Sequence, residues 1–208
     1  MTSPSDLRHE SGVTLVELVV VVVLLTVVTA LFTSTMLSTQ SAVNTAASRS
    51  VATANLRVVL AQLDREVRSA NAIYDPQLET DSANALAPGM AFRAYTQADP
   101  SGTSRCVHWR IAGTDLQRRT WAANWRTSGD VTSWATRATN IVNVASSPSV
   151  SAFRLASQGA YGGRLLDISL VVASGDRNSL PAYADLSLEA RNAVFRSSGV
   201  CADTPPPA

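Results

Sequence analysis

Several residue types are scarce or absent, and each absence narrows the range of functions. The 208-residue sequence has no lysine, so all seventeen cationic side chains are arginine, and it has only two histidines and two cysteines. Two cysteines are too few for a disulfide scaffold and lack the spacing of a zinc site, so we predict no metal and no cofactor. The formal net charge of +1 does not indicate binding to nucleic acid or to a charged substrate.

Residues that support enzyme catalysis are equally scarce. His9 lies near the start of the chain, and His108 stands alone in a predicted strand, where a structural or surface role is more common than catalysis. No Ser/His/Asp or Cys/His pattern has a supporting motif. The stretch SGDRN at 174–178 has an arginine between its two oxygen-bearing side chains, so we interpret it as a turn and not as a calcium loop. We therefore predict that the protein is not an enzyme.

Charge, glycine and proline are all missing from one long segment near the N-terminus. No charged residue occurs from Leu18 to Ser48, and no glycine or proline occurs between Val13 and Asp75. The mostly apolar residues from Val13 to Leu37 would form a helix of about 37 Å at about 1.5 Å per residue. That length can span a bilayer, so we predict one transmembrane helix.

A single carboxylate, Glu17, lies inside this apolar run, shortly after Gly12. A lone carboxylate in hydrocarbon costs about 2.5 to 3.5 kcal/mol, so it should have a partner. A secretory signal cut near residues 28–30 is one interpretation, but the residues before Gly12 carry two acids and one arginine and so lack a basic region. A plain signal anchor is a second interpretation, and it leaves Glu17 without a partner.

Residues 12–18, Gly-Val-Thr-Leu-Val-Glu-Leu, resemble the class III signal of type IV pilins and of the pseudopilins of type II secretion. The resemblance implies that a prepilin peptidase cuts between Gly12 and Val13 and that Val13 is then N-methylated. Family members usually begin with Phe, so Val13 departs from the pattern. The resemblance further implies that Glu17 neutralises the terminal amine of a neighbouring subunit. At an effective dielectric near 20, such a pair about 4 Å apart gains roughly 4 kcal/mol before desolvation.

The remainder of the chain predicts an α+β fold, with a long N-terminal α-helix, transmembrane in its first half, packed on an antiparallel β-sheet. Apolar residues spaced four and three apart form a stripe that we expect to pack on the protein's own sheet rather than in a coiled coil: Leu56, Leu60, Leu63, Val67 and Ala70. The helix is predicted to end between Asn71 and Pro76. Strands are predicted at 90–96, 106–111, 116–121, 152–156, 166–173 and 184–191.

Two regions of the predicted sheet domain stand apart from the strands. Residues 124–149 are irregular and polar, which is typical of a family-specific insertion. Four tryptophans interleave with four arginines and could stack on nucleotides or sugars, but packing within the protein is favoured, so we predict no direct nucleic-acid binding. These residues are Trp109, Trp121, Trp125 and Trp134 with Arg110, Arg118, Arg119 and Arg126.

The predicted organisation has five segments. They are a cleaved leader (1–12), a transmembrane and assembly helix (13–38), an extracytoplasmic amphipathic helix (39–75), an antiparallel sheet domain (76–198) and a flexible Pro-rich tail (199–208). Because this topology places the sheet domain outside the cytoplasm, Cys106 and Cys201 can form a disulfide.

The helix-and-sheet pattern resembles the pilin architecture, and three segments are similar in order and style to minor pseudopilin J of type II secretion or a large minor type IV pilin: 56–70, 106–121 and 150–157. The resemblance implies a non-enzymatic minor subunit at or near a filament tip that primes assembly. Its partners would be the membrane, a prepilin peptidase and other pilins or pseudopilins.

The resemblance also implies a location. The protein would cross the inner membrane once, with an extracytoplasmic C-terminal domain, and enter a cell-surface or envelope filament. The alternative function is a secreted or signal-anchored extracytoplasmic binding protein, for which the apolar segment is only a targeting device.

Overall fold

The structure is a computed structural model that describes residues 14–79, 86–97, 102–144, 150–156, 162–173, 181–193 and 199–201. The chain divides into two compact units, Met1–Ala46 and Ala47–Ala208, called here the first and the second unit. A single helix, α1 (Leu15–Arg68), contributes residues to both.

The first unit is described from residue 14 and consists of the apolar part of α1. Leu15–Ala47 is long and apolar enough to cross a membrane by length and composition, and none of its most apolar stretch is buried within the protein. The hydroxyl groups of this part donate to the helix's own backbone; Thr26, for example, donates to the Val23 carbonyl at 2.7 Å. Because these polar atoms are satisfied within the helix, its outer surface is largely hydrocarbon.

The second unit contains the C-terminal part of α1 and two antiparallel sheets, which confirms the predicted α+β fold. The larger sheet has the order β1-β2-β3-β4-β5, and the smaller has the order β6-β7-β8. The strands are β1 (Ala70–Ile73), β2 (Ala91–Thr96), β3 (Arg105–Ala112), β4 (Asp115–Ala122), β5 (Ala135–Ala138), β6 (Phe153–Leu155), β7 (Leu165–Val172) and β8 (Ala182–Glu189), with a short helix α2 (Trp125–Ser128). The six predicted strands are all present, with bounds shifted by one or two residues.

One hydrophobic core joins α1 to both sheets. The buried stripe of α1 includes Leu63 and Val67, and the same cluster contains Trp109 of the larger sheet and Ile168 of the smaller. This arrangement confirms that the apolar stripe packs on the protein's own sheets. Val59 is also part of it, at 3% exposure, although the predicted stripe did not include it.

The end of α1 differs from the prediction. The helix stops at Arg68, and residues 70–73 form β1, which pairs antiparallel with β2. Ala70 is therefore buried as a strand residue and not as the last helical one. The ladder with β2 and the burial of β1 outweigh the local helical pattern, which is the usual way tertiary context overrides propensity.

The region predicted as an irregular insertion also contains regular structure. β5 pairs with the first half of β4 and lies at the edge of the larger sheet. Its sequence, Ala-Thr-Arg-Ala, is short and does not alternate between apolar and polar residues, so no pattern indicated a strand. Residues 145–149 of the same region lie outside the described residues.

Gly89 and Asn143 lie where the smaller sheet meets the rest of the second unit. Gly89 has φ +76°, and an added Cβ there would collide with the Ser151 side chain next to β6. The fully buried side chain of Asn143 donates to the Val150 and Ser169 carbonyls and accepts from the Val171 backbone N–H. These contacts satisfy backbone groups along one edge of β7.

A disulfide joins Cys106 of β3 to Cys201, with Cα atoms 5.7 Å apart and a sequence separation of 95. Both residues are fully buried in a second, smaller cluster with Tyr74 and Trp121. The Tyr74 hydroxyl accepts from the Cys201 backbone N–H at 3.0 Å. Residues 199–201, predicted as the start of a flexible tail, are therefore held on the sheet, whereas 202–208 lie outside the described residues.

Replacing both cysteines by serine should lower the free energy of unfolding by roughly 2 to 5 kcal/mol, because the bond closes a long loop in the unfolded chain. Urea unfolding of the purified full chain measures this difference. Non-reducing peptide mapping should recover the Cys106 and Cys201 peptides as one species; recovery of both as free thiols would contradict the bond.

Candidate functional site

The predicted processing site lies at the edge of what the structure describes. Gly12 and Val13, the predicted residues of cleavage and N-methylation, fall outside the described residues, so both assignments stay predictions. Glu17, the predicted assembly residue, lies in the first turn of α1. Its role in assembly is likewise a prediction, and the structure supplies its local geometry.

The start of α1 has a hydrogen-bonded cap. The Glu17 backbone N–H donates to Thr14 Oγ1 at 3.3 Å. Thr14 and Glu17 are spaced as in a capping box, in which the glutamate at the third helical position can also accept from the backbone N–H of the cap residue. Sequence reasoning missed this cap, although the Thr-x-x-Glu spacing was a sufficient signal. A negative side chain here is also favoured by the helix dipole.

Glu17 is the only ionisable residue in the described part of the first unit. The neighbouring Leu15, Val16 and Leu18 side chains are all exposed large hydrophobics. A carboxylate in such surroundings is poorly compensated by one helix terminus, so the site can accept a cation that comes from outside the first unit.

A second carboxylate of α1, Glu66, is buried in the second unit with 2% exposure. Its Oε2 accepts from Trp109 Nε1 at 2.7 Å, and its Oε1 accepts from Arg118 Nε at 2.8 Å. Arg118 Nη2 lies 2.7 Å from the same Oε1, and Gln62 Nε2 donates to it at 3.0 Å. The carboxylate is thus fully compensated, and it fixes the rotation of α1 against the larger sheet.

Sequence reasoning did not single out Glu66. A signal existed in the spacing, since Glu66 follows Leu63 by three residues and precedes Val67, so it falls on the buried side of the helix. Its partners Trp109 and Arg118 are directly opposite each other on β3 and β4. That juxtaposition requires the strand register, which the sequence pattern did not supply.

A polar groove of about 510 Å³ lies beside Glu66, lined in part by Arg65, Thr120 and Thr132. At its rim, Arg105 makes two hydrogen bonds to the Asp130 carboxylate, at 2.7 and 2.8 Å. The side-chain hydrogen bond from Arg105 lowers the pKa of Asp130 below its usual range. The described lining of the groove contains no histidine, cysteine or serine.

The tryptophan and arginine side chains pack on one another. Trp109 and Trp121 are fully buried. Trp134 lies between two guanidinium groups, with Arg110 at 3.8 Å and Arg119 at 4.6 Å from its ring centroid. This arrangement agrees with the favoured interpretation of packing within the protein.

His108 is buried on the face of the larger sheet that carries Cys106 and Trp121. The centroids of the His108 and Trp134 rings are 5.1 Å apart, and His108 Nε2 lies 3.9 Å from Glu79 Oε2. Within the described ranges, no three residues of His, Cys, Asp or Glu are grouped so as to hold a metal ion. The possible calcium loop at 174–178 and His9 lie outside those ranges.

Comparison with known proteins gives one match. The family model described as the prokaryotic N-terminal methylation motif matches residues 7–33. Searches of curated proteins and of solved structures returned no match. The matched residues contain Gly12, Val13 and Glu17, and the match supports a type IV pilin-like or pseudopilin-like character for this N-terminal segment. The motif and the apolar helix fit single-pass membrane anchoring.

Glu66→Gln should lower the free energy of unfolding by about 3 to 5 kcal/mol, because it leaves the half-buried Arg118 charge without its carboxylate partner. Trp109 contacts Glu66 directly, so tryptophan fluorescence during urea unfolding of the full chain can follow the change.

Asp64→Asn is the matched control for this variant. It removes the exposed Asp64–Arg68 ion pair and should cost less than about 0.5 kcal/mol. Equal losses in the two variants would mean that Glu66 does not anchor α1.

Proposed function

We propose that this chain is a non-enzymatic minor subunit of a type IV pilus or of a type II secretion-like filament, placed at or near the tip, where it primes assembly. The observation that carries this proposal is a membrane-length apolar helix with one carboxylate in its first turn, overlapped by the N-terminal methylation motif. Hydrocarbon on every side makes the helix a membrane anchor before assembly and a packing element after it.

The proposed assembly contact is between Glu17 and the terminal amine of a neighbouring subunit. Cleavage after Gly12 would leave that amine on Val13, four residues before the carboxylate in the same chain. Each charge alone is unfavourable in lipid, so pairing across subunits is favoured in the register that brings the two together. The Thr14 cap holds the first turn of α1 helical and so presents Glu17 at a defined position.

A minor subunit is favoured over the repeating subunit for two reasons. Removing the 12-residue leader from 208 residues leaves 196 residues, which is large for a repeating pilin. The apolar segment also has no proline, so it has no helix-bending residue. In this proposal residues 13–38 form the transmembrane and assembly helix, and the sheet domain lies outside the cytoplasm.

The mature N-terminus tests the proposal. Mass spectrometry of the protein purified from its host membrane should give a chain that starts at N-methyl-Val13. An intact Met1 or a start at Leu31 would contradict it and favour the secreted or signal-anchored binding protein.

Glu17→Ala should reduce filament assembly by more than about tenfold while cleavage after Gly12 persists, because only the intersubunit charge pair is lost. Assembly is measured from sheared filament fractions, and cleavage from the mass of the membrane-bound subunit. Val20→Ala, which changes the same apolar surface without removing a charge, is the matched control. Normal assembly of the Glu17→Ala variant would exclude the proposed contact.

A further inference from the structure

One exposed face of the second unit is a narrow stripe of α1, called here the helix face. It consists of six exposed residues: Ala54, Arg57, Val58, Ala61, Arg65 and Arg68. At its centre Val58 is 71% exposed, one of few large apolar side chains of the described second unit that face solvent. Arg68 is paired with Asp64, whereas Arg57 and Arg65 have no acidic partner within the described ranges.

Another exposed face, called here the sheet face, is formed by the outward side chains of β7 and β8 with Arg154 of β6. The outward ionisable side chains of these strands are three acids, Asp167, Asp185 and Glu189, and one base, Arg154; the exposed Arg191 follows Glu189 by two residues. Tyr183 is 64% exposed on the same side of β8. A groove of about 460 Å³ follows this face and is lined by Asp167, Asp185 and several serines.

The acids of the sheet face are only partly compensated. Asp167 accepts from Arg154 at 3.0 Å and from the Ser187 hydroxyl at 2.6 Å. Asp185 accepts from the Ser169 hydroxyl. Neither Asp185 nor Glu189 forms an ion pair in the part of the chain that the structure describes. The two faces therefore carry opposite net charge. Each also has one large exposed side chain, Val58 on the helix face and Tyr183, near the start of β8, on the sheet face.

The two faces lie on opposite sides of the second unit. The side of α1 that is turned away from the helix face packs into the core through Leu63 and Val67, and β7 packs into the same core through Ile168 and Leu170. The helix face and the sheet face both point away from that core. A contact between them in one molecule is excluded, but a contact between two molecules can form front to back.

We propose that the helix face of one subunit docks on the sheet face of a second copy of this chain. Val58 contacts Tyr183, and the unpaired arginines meet the unpaired acids, where Arg57 can also lie over the tyrosine ring. This proposal rests on the proposed function, because nucleation of a filament requires the first subunits to associate with one another.

The spacing along the two elements supports this register. Arg65 follows Val58 by seven residues, or about 10 Å along the helix. Asp185 and Glu189 lie about 7 and 20 Å from Tyr183 along β8. With Val58 on Tyr183, the Arg65 side chain falls between the two acids. Each such surface ion pair contributes only modestly to the free energy of docking. Anchoring both copies in one membrane raises their effective concentration and so favours the contact.

Cysteine cross-linking in host membranes tests the contact with the full-length chain. One tagged copy carries Val58→Cys and a second, differently tagged copy carries Tyr183→Cys; Cys106 and Cys201 are already bonded to each other. Mild oxidation should give at least about fivefold more mixed dimer than a control in which Leu78→Cys replaces Tyr183→Cys. Leu78 is 78% exposed and belongs to neither face. A yield equal to the control would overturn the proposal.

A charge exchange tests the chemistry of the same contact. Arg65→Glu in the Val58→Cys copy should lower the cross-linked yield roughly two- to fivefold, and Asp185→Arg in the Tyr183→Cys copy should restore it. No loss, or a loss without restoration, would overturn the charge pairing. The urea midpoint of each variant, measured separately, shows whether the second unit still folds.

Mass spectrometry of the N-terminus in the same samples separates this proposal from the proposed function. A start at Val13 without cross-linking would overturn the contact alone. An unprocessed chain with strong cross-linking would overturn the filament function and support the contact, and an unprocessed chain without cross-linking would overturn both.

Discussion

A carboxylate in apolar surroundings needs donors or a cation, and this constraint acts on both acids that α1 carries within apolar surfaces. Glu66 meets it within the chain, because Trp109, Arg118 and Gln62 all donate to it. Within the described residues the Glu17 carboxylate has only the helix terminus, because Thr14 Oγ1 accepts from the Glu17 backbone N–H and not from its side chain. Glu66 therefore fixes α1 to its own sheets, while the Glu17 carboxylate has no such partner in the described residues.

The two sheets hold the part of α1 that carries Glu66. The larger sheet places Trp109 and Arg118 opposite each other under α1, and the smaller sheet adds Ile168 and its neighbours to the same core. The disulfide at Cys106 and the cluster around it close the other side of the larger sheet.

Much of the fold follows from local patterns in the sequence. The strands predicted at 106–111 and 116–121 match β3 and β4 to within one residue, and the four-and-three spacing of the apolar stripe indicated which side of α1 is packed. β1 and β5 were not predicted, because each is four residues long and forms only through pairing with a longer neighbour. The partners of Glu66 were missed for the same reason: they depend on strand register, which local patterns do not specify.

The sequence by itself determined the apolar helix, its single acid and the N-terminal methylation motif around Gly12, because these depend on residue order within one short stretch. Only the tertiary structure decided where α1 ends, which buried groups compensate Glu66, and how Cys106 comes within 5.7 Å (Cα to Cα) of Cys201. Those outcomes depend on contacts between residues far apart in the chain. The opposite placement of the helix face and the sheet face belongs with them, since it follows from two elements packing on one core.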